Sequence, residues 1–207
     1  MPFQRIKDYI DQQYSKPSGV IGTYIGEKMV RQHKLETVWT IELLNLQPKE
    51  RVLELGCGAG YAINLILEHN AVEQVVGLDI SPTVIKSARK RNKKAIEENR
   101  AILVQGNVQS LPFPERSFDK IFSIHTVYFW ENVYKTLSEI YRVLKPGGTF
   151  MITLCDGKDH EKWEGVQLKM EQEFLPSAKQ LEFNNIQLIR GPISRGFHTV
   201  ALTGTKA

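Results

Sequence analysis

Three glycines at alternate positions follow a short apolar run near the first third of the chain. The run is VLELGCGAGY, residues 52–61, which holds Gly56, Gly58 and Gly60. Glycine accepts positive φ angles and lets the backbone approach a ligand closely. A glycine-rich turn between a strand and a helix is therefore typical of nucleotide binding. A carboxylate, Glu54, stands in the same run.

A second carboxylate, Asp79, ends the next apolar run, VVGLD. At the tip of a second strand, a carboxylate can accept hydrogen bonds from a ribose diol. The alternative is a helix cap, which Ser81 also offers. The dinucleotide fingerprint G-x-G-x-x-G, started at Gly56, requires glycine where this chain has Tyr61. The spacing therefore disfavours NAD.

Short apolar runs alternate with longer helical patterns from residue 50 onward, and these elements must position the candidate residues. One helix begins near Tyr61 and another after Ser81 and Pro82. A third lies in VYKTLSEIYRVL and stops at KPGG, and a charged helix covers about residues 159–175. The predicted strands are RVLEL, VVGLD, AILVQG, KIFSIH, TFMITLC, IQLIR and TVALTG.

This alternation predicts an α/β fold: a Rossmann-like, doubly wound, mostly parallel sheet of about seven strands with helices on both faces. The strands are nearly all apolar, as expected for a sheet covered on both sides. The last two strands are joined by GPISRGFH, which is too short for a parallel crossover. We therefore expect the last strand to be antiparallel.

The first 35 residues are predicted to form a helical cap or lid, and residues 36–207 the main domain. FQRIKDYIDQQY has helical spacing of Phe3, Ile6, Ile10 and Tyr14. SKPSGVIGTYIG is predicted to be a loop because of Pro17, Gly19, Gly22 and Gly26, and TVWTIELLNL a helix that Pro48 ends. Simple packing on the sheet edge is the alternative to a lid. The candidate lid residues are Tyr14, Tyr24, Met29 and His33.

Four stretches together resemble the class I S-adenosylmethionine-dependent methyltransferases. They are VLELGCGAG, VVGLDIS, GNVQSLPFPERSFDKIFS and IYRVLKPGG, in the order of that family. The resemblance covers about residues 45–155. It is closest to the small-molecule branch that includes the ubiquinone and menaquinone biosynthesis methyltransferases. It implies that S-adenosyl-L-methionine is the cofactor and that a small molecule is the acceptor.

The resemblance also implies roles for residues of the first two motifs. The glycine loop, including Cys57, would approach the methionine and ribose parts of the cofactor. Glu54 would serve the methionine ammonium, because a cation favours a nearby carboxylate, or would instead bond loop amides. Asp79 would bind the ribose hydroxyls, and Ile80 would pack on the adenine. Tyr24 of the predicted lid is also predicted to bind the cofactor.

The third motif carries the expected adenine contacts. The family usually has aspartate where this chain has Asn107, whose side-chain carbonyl still accepts a hydrogen bond from an amine. The alternative for Asn107 is a turn-forming role behind Gly106. The backbone amide of Val108 is the other expected contact.

The segment FSIHTVYFW follows the fourth predicted strand, where ligands of such sheets bind. Ser123, His125 and Tyr128 are therefore expected near the transferred methyl group. His125 is a candidate general base and Tyr128 a second catalytic candidate. Alternatively, His125 only packs over the cofactor or meets a backbone group. Phe129 and Trp130 are expected in the core or the pocket wall.

The same segment excludes several relatives of this chemistry. SIHT stands where amino-methylating enzymes of nucleic acids carry an N-P-P-Y-like motif. Cytosine carbon-5 methylation needs a Pro-Cys nucleophile, and neither Cys57 nor Cys155 follows a proline. Aspartates for a magnesium ion are missing there. The sequence thus predicts no metal, no covalent intermediate and direct in-line transfer.

Composition is consistent with one ordinary globular domain of 207 residues, 42% of them hydrophobic and 24% charged. The net charge of +4 permits nucleic-acid binding without arguing for it. The basic run KSARKRNKKAIEENR contains no aromatic residue for base stacking, so we interpret it as a solvated helix face. Two distant cysteines and the lack of a signal-like or membrane-spanning run predict a cytoplasmic protein.

Three other functions compete with a small-molecule methyltransferase. One is a non-catalytic partner or sensor that binds S-adenosylmethionine, which differs by lacking an acceptor pocket. The second is an RNA methyltransferase, and the last a nicotinamide oxidoreductase. The sequence predicts neither the acceptor nor the oligomeric state.

Overall fold

The computed structural model of the chain describes residues 12–69 and 71–207, in which eight strands form one sheet. Seven follow one another in the order β3-β2-β1-β4-β5-β8-β7, and the short β6 pairs with β5. The strands are β1 (Arg51–Leu55), β2 (Gln74–Asp79), β3 (Ala101–Gln105), β4 (Phe118–Ile124), β5 (Leu144–Lys158), β6 (Glu161–Lys162), β7 (Phe183–Ser194) and β8 (Phe197–Lys206).

Helices connect the strands and cover the sheet. A 3-10 turn at Val127–Phe129 follows β4, and a π-helical turn at Met170–Phe174 joins two short helices. The helices are α1 (Gly19–Gln32), α2 (Lys34–Leu43), α3 (Tyr61–His69), α4 (Pro82–Arg91), α5 (Lys93–Glu97), α6 (Val133–Val143), α7 (Glu164–Lys169) and α8 (Leu175–Gln180).

The first five strands run parallel, and β1 lies between β2 and β4. Leu55 at the end of β1 is in register with Leu78 on β2 and Ser123 on β4, so the carboxyl ends of the three strands lie side by side. The strand order reverses between β1 and β4. In open α/β sheets this is the point at which ligands bind.

The carboxyl-terminal strands close the sheet as the short linker predicted. β8 runs antiparallel to both β5 and β7. The turn between β7 and β8 has positive φ at Arg195 and Gly196, which suits a tight hairpin. The predicted doubly wound sheet with its last strand antiparallel is confirmed, with β6 as one further strand of two residues.

Apolar side chains fill both faces of the sheet. On one face Leu53 and Leu55 pack with Phe118. On the other Val52 packs with Ile63 of α3, which is the arrangement that near-continuous apolar strands predict. Glu54 is the exception, since it is a carboxylate between Leu53 and Leu55 of β1 and only 5% exposed. Such a position requires a specific partner.

The predicted loop at SKPSGVIGTYIG is wrong, because most of it lies in α1. A Cβ added at Gly22 would come within 2.6 Å of the backbone of Pro17, and one at Gly26 within 3.2 Å of Val84 on α4. These glycines therefore permit close packing and do not break the helix. The predicted helix at residues 3–14 lies largely outside the described residues, of which 12–15 are helical.

Other predicted helices differ in their bounds. The helix after Ser81 is confirmed, and the Ser81 hydroxyl accepts from the Val84 amide, but the helical stretch breaks at Asn92 into α4 and α5. The charged helix expected from about residue 159 begins only at Glu164, because the preceding residues form β6. The predicted helix in TVWTIELLNL ends at Leu43, before Pro48.

Candidate active site

A cavity of about 210 Å³ opens beyond the carboxyl ends of β1, β2 and β4. It lies at the reversal of the strand order, so tertiary structure brings residues from four predicted motifs to one place. The predicted residues on its wall are Glu54, Gly56, Cys57, Gly58, Asp79, Ile80, Asn107, Val108 and His125.

The glycine loop forms the floor of the cavity. The amides of Gly56 and Cys57 donate to the carbonyl of Leu78 at 2.7 and 3.0 Å. The amide of Gly58 donates to Asp79 Oδ2 at 2.9 Å. A Cβ added at Gly58 would meet no described atom within 4 Å, so this glycine leaves its side of the cavity open.

The other two glycines serve packing. A Cβ at Gly56 would overlap the side chain of Thr126, which follows β4. A Cβ at Gly60 would lie 2.6 Å from Asn92 and 2.8 Å from Ala88. Gly60 is not among the described residues that line the cavity, so its predicted contact with the cofactor finds no support. Instead, Gly60 lets α3 begin close to α4.

Asp79 is held by two backbone amides. Its Oδ1 accepts from the Ser81 amide at 2.9 Å, and its Oδ2 from Gly58. Burial raises the pKa of Asp79, while these amides oppose the shift. Because a carboxylate has about four acceptor positions, this one retains capacity for the hydroxyls of a ligand.

Glu54 lies deeper in the cavity wall and is not satisfied. Its Oε2 is buried and finds no hydrogen-bond partner among residues 12–69 and 71–207. Burial, and then the charge of Asp79, raise the pKa of Glu54 well above its usual value. The alternative that Glu54 bonds loop amides is unsupported, because the amides of Gly56 and Cys57 donate to Leu78 and that of Gly58 donates to Asp79. A buried, unsatisfied carboxylate facing a cavity suits a cationic ligand group.

The predicted adenine contacts Ile80, Asn107 and Val108 also line the cavity. Asn107 Oδ1 accepts from the amide of Gln109 at 2.9 Å, so Asn107 does form the turn that was its alternative role. Asn107 nevertheless lines the cavity. Ile80 is 41% exposed beside it, which leaves an apolar face free to stack on a ring.

His125 adopts a left-handed backbone conformation with φ of 56° directly after β4. Its ring centroid lies 4.2 Å from that of His33. Burial, and then the charges of His33 and Arg195, lower the pKa of His125 to about 3, against an opposing effect of Glu36. The imidazole is therefore neutral at pH 7 and a weak proton acceptor, contrary to its expected near-neutral pKa.

Glu36 completes a cluster that sequence inspection missed. It is fully buried on α2, with His33 Nδ1 at 3.9 Å and Arg195 Nη2 at 3.8 Å from its Oε1. Burial opposes its ionisation, yet His33, its own backbone, Ser194 and the charge of His125 lower the pKa of Glu36 to about 2. The only sequence signal was His33 followed by an acid three residues later on a helix.

Besides Gly60, three predicted site residues lie elsewhere, since none of them belongs to the described cavity wall. The Tyr128 hydroxyl donates to the Cys155 carbonyl at 2.9 Å and accepts from its amide at 2.7 Å, which argues against a catalytic role. Ser123 is buried and bonds the Thr126 hydroxyl. Tyr24 is 69% exposed on α1 and does not line the cavity.

The segment predicted as a lid supplies a large part of the wall. Tyr14, Met29 and His33 line the cavity, as do Phe129 and Trp130. The remaining wall residues were not predicted as site residues, because packing between elements brings them to the cavity; among them are Pro17, Gly26, Val30, Thr37, Tyr61, Val84 and Thr126.

Polar contacts fasten α1 to the core of the site. Ser81, the cap of α4, donates through its hydroxyl to the Pro17 carbonyl. Arg91 at the end of α4 donates to Glu27 on α1 at 2.6 Å and to the Ala59 carbonyl of the glycine loop. One side chain thus ties the cap segment to the loop beneath the cavity.

Known proteins share both the sequence and the fold of this site. A family described as a methyltransferase domain matches residues 53–152, which include the glycine loop, Asp79 and His125. The uncharacterized methyltransferase YdaC of Bacillus subtilis (strain 168) is 32% identical over 130 residues, 62% of this chain and 69% of that protein. The chain belongs to this methyltransferase family.

Two further relatives of the family are longer. The demethylmenaquinone methyltransferase of Symbiobacterium thermophilum is 31% identical over 145 residues, 70% of this chain and 55% of that protein. The 24-methylenesterol C-methyltransferase 2 of Oryza sativa subsp. japonica is 36% identical over 158 residues, 69% of this chain and 43% of that protein. The chain therefore spans about half the length of these two relatives.

Solved structures support the fold. The methyltransferase in a complex with the Haloferax volcanii Trm112 methyltransferase activator has a TM-score of 0.71 at 20% identity, over 87% of this chain and 92% of that one. The Haemonchus contortus phosphoethanolamine N-methyltransferase 2 in complex with S-adenosyl-L-methionine has a TM-score of 0.67 at 17% identity, over 83% and 52%. At these identities the likeness concerns the fold alone.

The methyltransferase family predicted from four sequence motifs is thereby confirmed, and S-adenosylmethionine is its methyl donor. The described residues fit this donor. The unsatisfied Glu54 oxygen suits its ammonium group, and the open side of Gly58 leaves room for its backbone approach. None of the helices within residues 12–69 and 71–207 has the length and apolar character needed to cross a lipid bilayer.

Proposed function

We propose that this methyltransferase acts on a small molecule with an apolar body, which it binds in the same cavity as its methyl donor. The observation that carries the proposal is the continuity of one cavity from Glu54 and Asp79 to Met29, Phe129 and Trp130. One end offers carboxylates to a polar, cationic cofactor. The other end offers apolar and aromatic walls, as sites for apolar ligands do.

The carboxylates would orient the donor from both sides of the glycine loop. Glu54 would take the ammonium group of the methionine part, because this contact provides the missing partner of its buried oxygen. Asp79 would accept the ribose hydroxyls with the acceptor positions that Gly58 and Ser81 leave free. The adenine would lie against Ile80, near Asn107 and the Val108 amide.

Relatives support an apolar acceptor. Three of them are named for demethylmenaquinone, a 24-methylenesterol and a fatty acid, which are all largely hydrocarbon compounds. In this chain, Met29 and Val30 of α1 and Phe129 and Trp130 after β4 all line the cavity. Burying hydrocarbon there would stabilise an acceptor by about 25 cal/mol per Å² of apolar surface removed from water.

S-adenosylmethionine supplies a methyl group on a sulfonium, which an acceptor nucleophile can attack directly. The residues of this chain would contribute mainly position and exclusion of water. Glu54 and Asp79 hold one reactant, and the aromatic wall aligns the other. The cap segment, α1 with residues 12–18 before it, would cover the cavity as a lid, anchored through Arg91 and Ser81.

Two experiments, carried out one after the other, test this function. Calorimetry of the full chain should detect binding of S-adenosylmethionine and of its demethylated product, and no binding of NAD. Labelled methyl transfer into a cell metabolite extract should then mark a compound that partitions into organic solvent. Donor binding without transfer to any compound would favour a sensor, and transfer only into a polar fraction would refute the apolar acceptor.

RNA is a less suitable acceptor for this surface. Several cations of the basic run are engaged: Arg91 bonds Glu27, and Lys93 and Lys94 pair with acids one helical turn on. A labelled-methyl assay with total RNA provides the comparison. RNA labelling that exceeds metabolite labelling would replace the small-molecule proposal.

A further inference from the structure

Two histidines and one glutamate converge on a single point at the edge of the cavity. His33 lies between α1 and α2, Glu36 on the first turn of α2, and His125 directly after β4. One potential ligand atom from each side chain lies within 4.8 Å of the other two. His33 and Glu36 are three residues apart, whereas His125 is distant in sequence and joins them because α2 packs against the end of β4.

The polar atoms of this cluster have unused bonding capacity. His33 Nδ1, both oxygens of Glu36 and His125 Nε2 are buried and lack a hydrogen-bond partner in the described part of the chain. Isolated buried polar atoms of this kind are rare, because each loses its bonds to water without replacement. Because the ligand atoms of the three side chains lie within 4.8 Å of one another, we infer that a further group binds between them.

The types of the three side chains indicate which class of group would bind between them. Two imidazoles and one carboxylate form the ligand set typical of catalytic zinc and of related divalent transition ions, in which further coordination positions stay open. Zinc-bound nitrogen and oxygen atoms lie about 2.0–2.2 Å from the ion, so neighbouring ligand atoms sit roughly 3.3 Å apart. The 3.9 Å between His33 Nδ1 and Glu36 Oε1 needs only a small side-chain movement.

We propose that His33, Glu36 and His125 bind one divalent transition-metal ion, with Zn²⁺ as the best match to the donors. This departs from the expectation of no metal, which considered only the aspartates missing after β4. His33 and His125 both line the cavity, so open positions of the ion would face it. A role in holding an acceptor oxygen or nitrogen rests on the proposed function, whereas the metal site itself does not.

Arg195 is the competing explanation for the buried carboxylate. Its Nη2 lies 3.8 Å from Glu36 Oε1, and its side chain is 42% exposed. That distance exceeds a hydrogen bond, and the second oxygen, Oε2, stays unpartnered among the described residues. A cation so close to the site would weaken metal binding, so Arg195→Gln should tighten it.

The test is metal binding by the full chain, freed of metal with a chelator and then dialysed. Calorimetry with Zn²⁺ and visible spectra with Co²⁺ should show one ion per chain with low-symmetry coordination. Glu36→Gln and His125→Ala should each weaken the affinity at least about 10- to 100-fold, the loss seen even for outer-shell partners. The exposed His160→Ala is the matched control and should bind as the native chain does.

Circular dichroism and S-adenosylmethionine calorimetry of each metal-free variant establish that it is folded. Absence of stoichiometric Zn²⁺ and Co²⁺ binding by the native chain would overturn the proposal. Binding by Arg195→Gln alone would do so too, because the native cluster would then be an ion pair. Metal binding that survives in a folded His125→Ala variant would place the ion elsewhere. Failure of S-adenosylmethionine binding would instead refute the proposed function.

Discussion

The carboxylate of Asp79 at the tip of β2 accepts a hydrogen bond from the amide of Gly58 at 2.9 Å. The acid that is proposed to bind the cofactor therefore also shapes the loop beneath it. Asp119 plays a comparable structural role at the other end of the sheet, where it accepts from the Arg51 amide at 2.8 Å. Substituting each acid in turn therefore separates a structural effect from an effect on ligand binding.

Asp79→Asn should weaken S-adenosylmethionine binding by at least about tenfold, because hydrogen bonds to a charged group contribute about 1.5–3 kcal/mol. Asp119→Asn should lower the free energy of unfolding to a similar extent and leave the affinity unchanged. Calorimetry and urea unfolding measure the two effects. Equal affinities of the two variants would show that Asp79 has only the structural role.

Glu54→Gln should stabilise the ligand-free protein and weaken cofactor binding. Glutamine is a neutral isostere, so at a pH above the raised pKa of Glu54 it removes the cost of a buried carboxylate without a partner, about 1–3 kcal/mol. It also removes the charge that would meet the ammonium group. Thermal unfolding with and without S-adenosylmethionine should show a higher melting temperature and a smaller ligand-induced shift. A lower melting temperature would mean that Glu54 has a partner in the free protein.

The affinity for S-adenosylmethionine should rise with pH up to the raised pKa of Glu54 and then level off. A cation binds the ionised carboxylate, so binding below this pKa must release a proton. Because the pKa of Glu54 is raised in the folded protein, Glu54 contributes most to the stability of the free protein below its ordinary pKa. This contribution is lost as pH rises through the raised pKa. Calorimetry across this range should show a slope that Glu54→Gln abolishes.

Alanine at Gly58 and at Gly60 should have different consequences. Both residues have positive φ, 50° and 74°, so either substitution costs roughly 1–2 kcal/mol in the backbone. Gly60→Ala also places a methyl 2.8 Å from Ala88, and such overpacking adds about 1–3 kcal/mol. Gly58→Ala should destabilise less and lose more cofactor affinity. Urea unfolding measures the stability and calorimetry the affinity. If Gly60 contacts the cofactor, Gly60→Ala should lose more affinity than Gly58→Ala.

Tyr128→Phe should lower stability without impairing methyl transfer. The hydroxyl exchanges two hydrogen bonds with the backbone of Cys155, and each contributes about 0.5–1.5 kcal/mol. The ring remains, so the wall beside Phe129 should be preserved. Once an acceptor is known, kcat and KM at a temperature well below unfolding provide the measurement. A large fall in kcat with unchanged stability would restore the catalytic role expected from sequence.

Much of the site follows from sequence because its parts lie at the ends of strands. The alternation of apolar runs and helical patterns predicts parallel strands, and parallel strands bring their carboxyl ends to one edge. Glu54, Gly58, Asp79 and Asn107 are each local to such an end. Their meeting in one cavity could therefore be expected before any contact was known.

Other features depend on contacts between distant segments. Glycines such as Gly22 favour a loop in a local pattern, yet the approach of Pro17 makes glycine necessary inside a helix. Tyr128 follows β4 as a catalytic residue would, but the backbone of Cys155 occupies its hydroxyl. Neither partner is recognisable from the residue type or its spacing.

The amino-acid sequence by itself determined the family, the methyl donor and the strand ends that hold it, because these depend on periodicity and on residues close together in the chain. Only the tertiary structure decided which side chains share the cavity. His33 and Glu36 meet His125 because α2 packs beside the end of β4. Such a meeting is set by how whole elements pack against one another, and no local pattern encodes it.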